Sequence, residues 1–270
     1  MLIGDPTVGA VLGAGREAVV YAFGNDRVLK VFRDKAAGNR ARAEFATTAV
    51  LLAHGLPVAA PVEIISVDGA PGLVSTRARG VDLNGTLSRA PWKVREVAAR
   101  LACVQLALHA VRAPAELPEL RDIIDQRIRA ATSIPAPFAM SALAMLKTLP
   151  GGDRMCHGNL HLGNVIVDGD NAIVIDCGDA SRGDPLAEVA QTLVRYRCAR
   201  LRPGAPLRAR LGSAVGRRLL AALYVRAYGV RPSANPLLAR WEGVWAVDRM
   251  ADGHPHERRR LSRLARRRLR

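Results

Sequence analysis

The stretch from Cys156 to Gln191 constrains this chain more than any other. It reads Cys156-His157-Gly158-Asn159-Leu160-His161-Leu162-Gly163-Asn164-Val165-Ile166-Val167, then Ile173-Val174-Ile175-Asp176, then Gly183-Asp184-Pro185. A polar loop leads into an apolar run, a turn at Asp168-Gly169-Asp170, and a second apolar run ending in a carboxylate. That order predicts a β-hairpin with Asn164 and Asp176 at neighbouring strand ends. An amide oxygen and a carboxylate so placed are hard donors of the kind Mg²⁺ takes while keeping substrate phosphates in its shell. Asp184 followed by Pro185 reads as a helix cap and first helical residue.

Upstream, residues 8–32 alternate apolar and polar positions around a Gly-rich turn and end in Val28-Leu29-Lys30-Val31-Phe32, predicting two or three antiparallel strands. A helix is expected over 38–54, stopped by Pro57. Val62–Val67 and Leu73–Arg77 read as two further strands joined by a turn at Asp68-Gly69-Ala70-Pro71-Gly72. From Gly80 onward the pattern is mainly helical, with helices expected over 92–111, 121–132, 139–149, 186–200, 212–229, 236–250 and 256–268. The division expected is a small lobe over 1–77 and a larger helical lobe over 78–270.

Leu12-Gly13-Ala14-Gly15-Arg16-Glu17-Ala18-Val19-Val20 holds two glycines that let backbone N–H groups approach phosphates, although a pair of glycines fits an ordinary hairpin turn as well. Lys30 follows Gly15 by 15 residues on an apolar strand, and Glu44 follows Lys30 by 14 on the next helix. Alone, each reads as a surface charge. Taken in this order, the loop, the Lys/Glu pair and the later hairpin resemble the H-G-D-x-H-x-x-N … I-D … G-D-P signature and bilobal plan of the aminoglycoside phosphotransferase-like kinases, over about residues 8–191.

The resemblance implies an α+β, protein-kinase-like bilobal fold: a small antiparallel β-sheet lobe with one helix and a larger helical lobe. It implies a small-molecule kinase using ATP or GTP with Mg²⁺ and a small hydroxylated acceptor. Gly13, Gly15, Lys30 and Glu44 would serve the nucleotide phosphates, backbone groups near Arg77 and Ala78 its base, and Asn164 and Asp176 the metal. His157 and His161 would order the catalytic loop.

Asn159 stands where this family carries its catalytic Asp. An amide is not a useful base, and general-base catalysis contributes about 10²–10⁴-fold. Phosphoryl transfer also rests on positioning and charge stabilisation. Three readings follow. In the first, Asn159 positions the acceptor and Asp179 or water takes the proton. The second is a nucleotide-binding pseudokinase that regulates a partner. The third is a basic-tailed scaffold for nucleic acid or membrane.

Net charge is +16, and residues 201–270 hold 17 Arg against 4 acidic residues, 17 − 4 = +13 of that total. Leu261, Leu264 and Leu269 line one face of the final segment, so 257–270 is expected to dock as an amphipathic helix with weak polyanion or anionic-membrane contact and no specific nucleic acid. A polycationic acceptor needs clustered carboxylates, and only Glu188, Glu242, Asp248, Asp252 and Glu257 are available beyond Pro185. Trp241 and Trp245 are either core residues or a stacking surface for the acceptor. Cys103, Cys156, Cys177 and Cys198 lack paired spacing and read as buried free thiols. His157 and His161 lack a third ligand for zinc. No apolar run spans a bilayer and no signal pattern opens at Met1, so a cytoplasmic location is expected.

Overall fold

The computed structural model describes residues 7–199, 207–252 and 255–269. The opening residues read for targeting, position 200 of the helix expected over 186–200 and position 270 of the segment expected over 257–270 lie outside them. The described residues fall into two compact units, one within Met1–Leu83 and Gly163–Ala180, the other within Asn84–Leu162 and Ser181–Arg270. The hairpin, assigned by sequence to the second lobe, thus belongs with the first unit.

In the first unit, β1 (Val8–Ala14), β2 (Ala18–Phe23), β3 (Arg27–Phe32), β4 (Pro61–Val67) and β5 (Ala70–Thr76) form an antiparallel sheet in the order β1-β2-β3-β5-β4. Pro71 and Gly72 pair inside β5, so the β4–β5 turn is shorter than expected. Asp68 and Gly69 make it, both with positive φ. Side chains alternate across a strand. In β3 this sends Leu29 and Val31 into a cluster with Val67, Ala70 and Val74. Lys30 and Phe32 take the opposite face, where Phe32 packs with Ala18, Leu73, Ala37, Ala41 and Phe45. Those last two belong to α1 (Gly38–Ala53), whose buried residues Ala41, Glu44, Thr48 and Leu51 recur at helical spacing. Lys30 and Glu44 therefore look onto the same layer.

The hairpin joins this unit through β6 (Val81–Asp82), which pairs with β8 (Val165–Asp168), and β8 pairs with β9 (Asn171–Val174). Gly80 makes the crossing at φ +109°, and a Cβ there would collide with the Val167 carbonyl. Val174 exchanges backbone hydrogen bonds with Pro57 and Ala59 at 2.7 and 3.2 Å, tying the hairpin to the loop after α1.

The second unit contains most of α2 (Leu83–Arg89), which sequence reading did not anticipate, and α3 (Val94–Ala110), α4 (Leu120–Ala130) and α5 (Ala136–Lys147). It continues with α6 (Pro185–Cys198), α7 (Leu207–Tyr228), α8 (Pro236–Asp248) and α9 (Pro255–Arg268). A two-stranded ribbon of β7 (Arg154–Cys156) and β10 (Ser181–Gly183) brackets the polar loop. Asp184 caps α6, accepting the Leu186 N–H at 2.9 Å, with Pro185 as its first residue. The basic α9 buries Leu261 and Ala265, and Arg268 bonds Glu242 at 2.7 Å. Among the described residues no helix is long and apolar enough to cross a membrane.

Candidate active site

Lys30 Nζ lies 2.7 Å from both carboxylate oxygens of Glu44 and 2.5 Å from Asp176 Oδ1. Burial alone would lower the Lys30 pKa, but the charges of Glu44 and Asp176 hold it above its ordinary value. Burial pushes the Glu44 carboxyl up against the pull of Lys30, and Asp176 and Asp179 add to that rise. Two carboxylates thus share one ammonium, with the charge of Asp179 felt at Glu44, an excess of negative charge suited to a divalent cation.

Asp176 is placed by its neighbours. Thr47 donates to the Cys177 carbonyl at 3.0 Å, and Gly178 is pressed so closely on Glu44 that a Cβ there would sit 3.3 Å from the Glu44 Cβ. Asp176 itself adopts φ +62°, a left-handed conformation that Asp tolerates better than most residues. Asn164 is buried, and its carbonyl accepts the Ile175 N–H at 3.1 Å, which continues the β8–β9 pairing to the two strand ends. The amide oxygen of Asn164 and the carboxylate of Asp176 would be the donors to a cation, and that chemistry fits Mg²⁺.

Neither Gly13 nor Gly15 has a positive φ, and a Cβ on Gly13 would meet nothing within 4 Å. The local backbone therefore does not itself require glycine at Gly13, so the turn alone does not account for it. The Arg77 N–H donates to the Asp26 carbonyl at 2.9 Å, so this amide is engaged within the protein. Asp179 is exposed.

In the second unit, the polar loop rests on α6. Gly158 donates its N–H to Glu188 Oε1 at 2.6 Å, and Gln191 donates to the Gly158 carbonyl at 2.5 Å. Tyr196 Oη accepts the Leu162 N–H at 3.0 Å. His157 is buried, and its Nδ1 accepts the Asn159 N–H at 3.2 Å. His161 is partly buried beside it in sequence. Arg195 donates to Asn159 Oδ1. Glu188 also takes Gln105 at 3.1 Å and His109 Nε2 at 2.9 Å. Burial would raise its pKa, but the hydrogen bond and charge of His109, the His157 charge and the Gln105 bond bring it below the ordinary value.

Glu188, Gln191 and Arg195 as supports of this loop escaped sequence reading. Their signal was present: polar residues at spacings of three and four within an otherwise apolar helix. His109, Cys156 and Glu188 lie close enough together to suggest a metal site. However, His109 Nδ1 lies 2.6 Å from Tyr228 Oη, and both Glu188 oxygens already accept hydrogen bonds. Burial also pushes the Cys156 thiol well above its ordinary value, away from the thiolate a metal needs.

The structure decides several expectations left open, and corrects one at Cys103. Trp241 and Trp245 are 0 and 2% exposed, and Trp241 Nε1 donates to Asp184 Oδ2 at 3.0 Å, so both are core residues and cannot stack on an acceptor. Four of the five carboxylates considered for a cationic acceptor, Glu188, Glu242, Asp248 and Glu257, are buried. Glu242 is taken by Arg197 and Arg268, Asp248 by Arg127, and Glu257 by Arg249. Cys103 is exposed on α3, whereas the other three thiols are buried.

The model of a phosphotransferase enzyme family matches residues 9–230. No curated protein matches the chain. A thermostable mutant of aminoglycoside phosphotransferase APH(4)-Ia, in a ternary complex with AMP-PNP and hygromycin B, is 18% identical, with a TM-score of 0.68 over 98% of this chain and 93% of that one. Aminoglycoside phosphotransferase APH(3'')-Id from Streptomyces rimosus is 19% identical, with a TM-score of 0.63 over 92% and 93%. Amicoumacin kinase hAmiN is 14% identical, with a TM-score of 0.59 over 98% and 88%. At such identities the structures establish a shared kinase-like α+β fold. The family match runs from the glycine loop through the Lys30–Glu44–Asp176 cluster and well past the polar loop, and by that span the chain belongs to the phosphotransferase enzyme family.

Proposed function

We propose that this chain transfers the γ-phosphoryl group of ATP or GTP to a hydroxyl of a small molecule. The observation that carries the reading is the Lys30–Glu44–Asp176 cluster: a strand lysine clamped by a buried helix carboxylate and reaching the carboxylate after the hairpin. In this reading Lys30 donates to nucleotide phosphate oxygens and Glu44 fixes the direction of its ammonium. Backbone N–H groups around Gly13 and Gly15 cover the phosphates. Asn164 and Asp176 would hold Mg²⁺, which when bound neutralises charge on the transferring group. Neighbours solved with AMP-PNP and with hygromycin B support a nucleotide and a hydroxylated acceptor as ligands.

Asn159 would stand at the acceptor, with His157 and His161 ordering its loop. Without a base at Asn159, catalysis rests on positioning and electrostatics, and Asp179 or water receives the proton. The reading includes a cytoplasmic location, where nucleoside triphosphates are abundant. Arg259, Arg263, Arg266 and Arg267, exposed along α9, support weak contact with polyanions or anionic membrane.

The test is Mg²⁺-dependent nucleotide binding, together with transfer to an acceptor panel and slow transfer to water, in wild type and Asp176→Ala. Transfer in wild type, lost in Asp176→Ala, is expected. Tight nucleotide binding with no transfer even to water would identify a regulatory nucleotide-binding module instead.

A further inference from the structure

Arg195 lies on α6, partly buried, and donates to the amide oxygen of Asn159. A guanidinium has donors only. The Asn159 carbonyl is therefore turned to Arg195, and the other polar atom of that side chain is an N–H₂ donor. Among the described residues, Arg195 has no ion-paired carboxylate partner. The carboxylates whose charge it feels, Asp252 and Glu257, are paired with Arg249 at 3.7 and 2.7 Å, and Asp252 also lies 3.7 Å from Arg127. Arg217 feels the same Glu257, and its Nε is buried without a partner. Among the described residues, Arg195, Arg249, Arg127 and Arg217 therefore all feel Asp252 or Glu257. Burial and the nearby Arg249 both pull the Arg195 pKa below its ordinary value, as expected of a cation lacking a matching anion.

We propose that Arg195, braced on Asn159, is an oxyanion-binding residue, and that the acceptor of this chain carries a carboxylate or phosphate group beside its reactive hydroxyl. That the anion belongs to an acceptor rests on the phosphotransferase reading, whereas the anion site rests on the Arg195–Asn159 contact and the arginine-rich surroundings. An anionic acceptor also agrees with the carboxylates of α8 and α9, which are paired with internal arginines, and with Glu188 of α6, which is held by Gly158, Gln105 and His109, so that little is left to hold a polycation. Arginine presents a planar fork suited to carboxylate and phosphate, and such charge-assisted bonds are the strong ones.

The test is calorimetric titration of the full chain with inorganic phosphate, in wild type, Lys30→Met, Arg195→Gln, Arg195→Lys and an Arg263→Ser/Arg267→Ser double variant. Saturable binding is expected in wild type, Lys30→Met and the double variant, at least about tenfold weaker in Arg195→Gln and intermediate in Arg195→Lys. D-glycerate should displace phosphate and glycerol should not. Equal affinity in Arg195→Gln and wild type overturns the proposal, as does absence of saturable binding in wild type or equal competition by glycerol. Should Arg195→Gln fail to fold, Arg195→Lys keeps the charge and carries the comparison. Mg²⁺-ATP affinity measured on the same proteins separates the two ideas. Its absence in wild type sinks the phosphotransferase reading alone, whereas loss of the phosphate result with ATP binding intact sinks the anion site alone.

Discussion

Lys30 and Asp176 are 146 residues apart in sequence, yet Lys30 Nζ lies 2.5 Å from Asp176 Oδ1 while also bonding both oxygens of Glu44. Lys30→Met should weaken nucleotide binding at least tenfold. It should also destabilise the first unit by about 3 kcal/mol, because Glu44 would remain buried without its cation. The Lys30 pKa is raised above 10.5, so the stability it contributes is full below pH 10.5 and is lost as pH climbs through the elevated value. Urea denaturation between pH 7 and about pH 12 should show an alkaline decline in wild type that is flatter in Lys30→Met. Identical slopes would mean that the ammonium gains nothing from its two carboxylates.

Glu188 makes the opposite prediction at the acid end. Its pKa lies below 4.5, so it stabilises the fold above pH 4.5, and that contribution disappears as pH falls through the lowered value. Glu188→Gln replaces an all-acceptor carboxylate with a group that must point a donor at Gly158 or at His109 and Gln105. A loss of about 3–5 kcal/mol at neutral pH is expected, together with a shallower acid transition. Denaturant melts across pH 3–7 check both, and an unchanged melt at neutral pH would remove Glu188 as the support of the polar loop.

Much of this arrangement was readable beforehand because its cause is local. The two-residue period of β3 sends Lys30 to the face that α1 covers, and the helical period of α1 brings Glu44 to that same face. The hairpin announced itself through two apolar runs around Asp168-Gly169-Asp170. What escaped depended on tertiary context. The strands β7 and β10 are three residues each, too short to show alternation, and they exist only because their pairing brackets the polar loop. Trp241 read as core more readily than as ligand surface, and its indole N–H on Asp184, 57 residues away, places it in the core. Arg195 stood out in sequence only by its spacing from Glu188 and Gln191 along α6. Its meaning comes from Asn159 on another segment.

The Trp241–Asp184 bond ties the cap of α6 to α8. Trp241→Phe retains most of the apolar volume but removes the N–H, leaving Asp184 Oδ2 without that donor. A loss of about 1–2 kcal/mol is expected, read as a lowered denaturation midpoint with an unchanged slope. Because Asp184 Oδ1 still caps Leu186, the α6 helix should persist, and nucleotide affinity should stay at the wild-type level. A large fall in nucleotide affinity would mean that α8 is coupled to the first unit through this bond.

Restoring the family carboxylate at position 159 gives the sharpest contrast. A carboxylate there would meet the Arg195 guanidinium directly, and an adjacent positive charge depresses a carboxyl pKa. Asn159→Asp should therefore create an ion pair rather than a poised base. The expected outcome is a gain in stability of about 1–2 kcal/mol, since a partly buried guanidinium acquires a partner. Phosphate affinity should fall at least about tenfold, because Arg195 is then occupied and the site carries an added negative charge. Transfer to an anionic acceptor should fall with it through a raised KM, without the 10²-fold or larger rise in kcat that a functional general base would bring. Such a rise in kcat, with phosphate affinity unchanged, would show instead that Asn159 is a lost base and that Arg195 merely packs beside it.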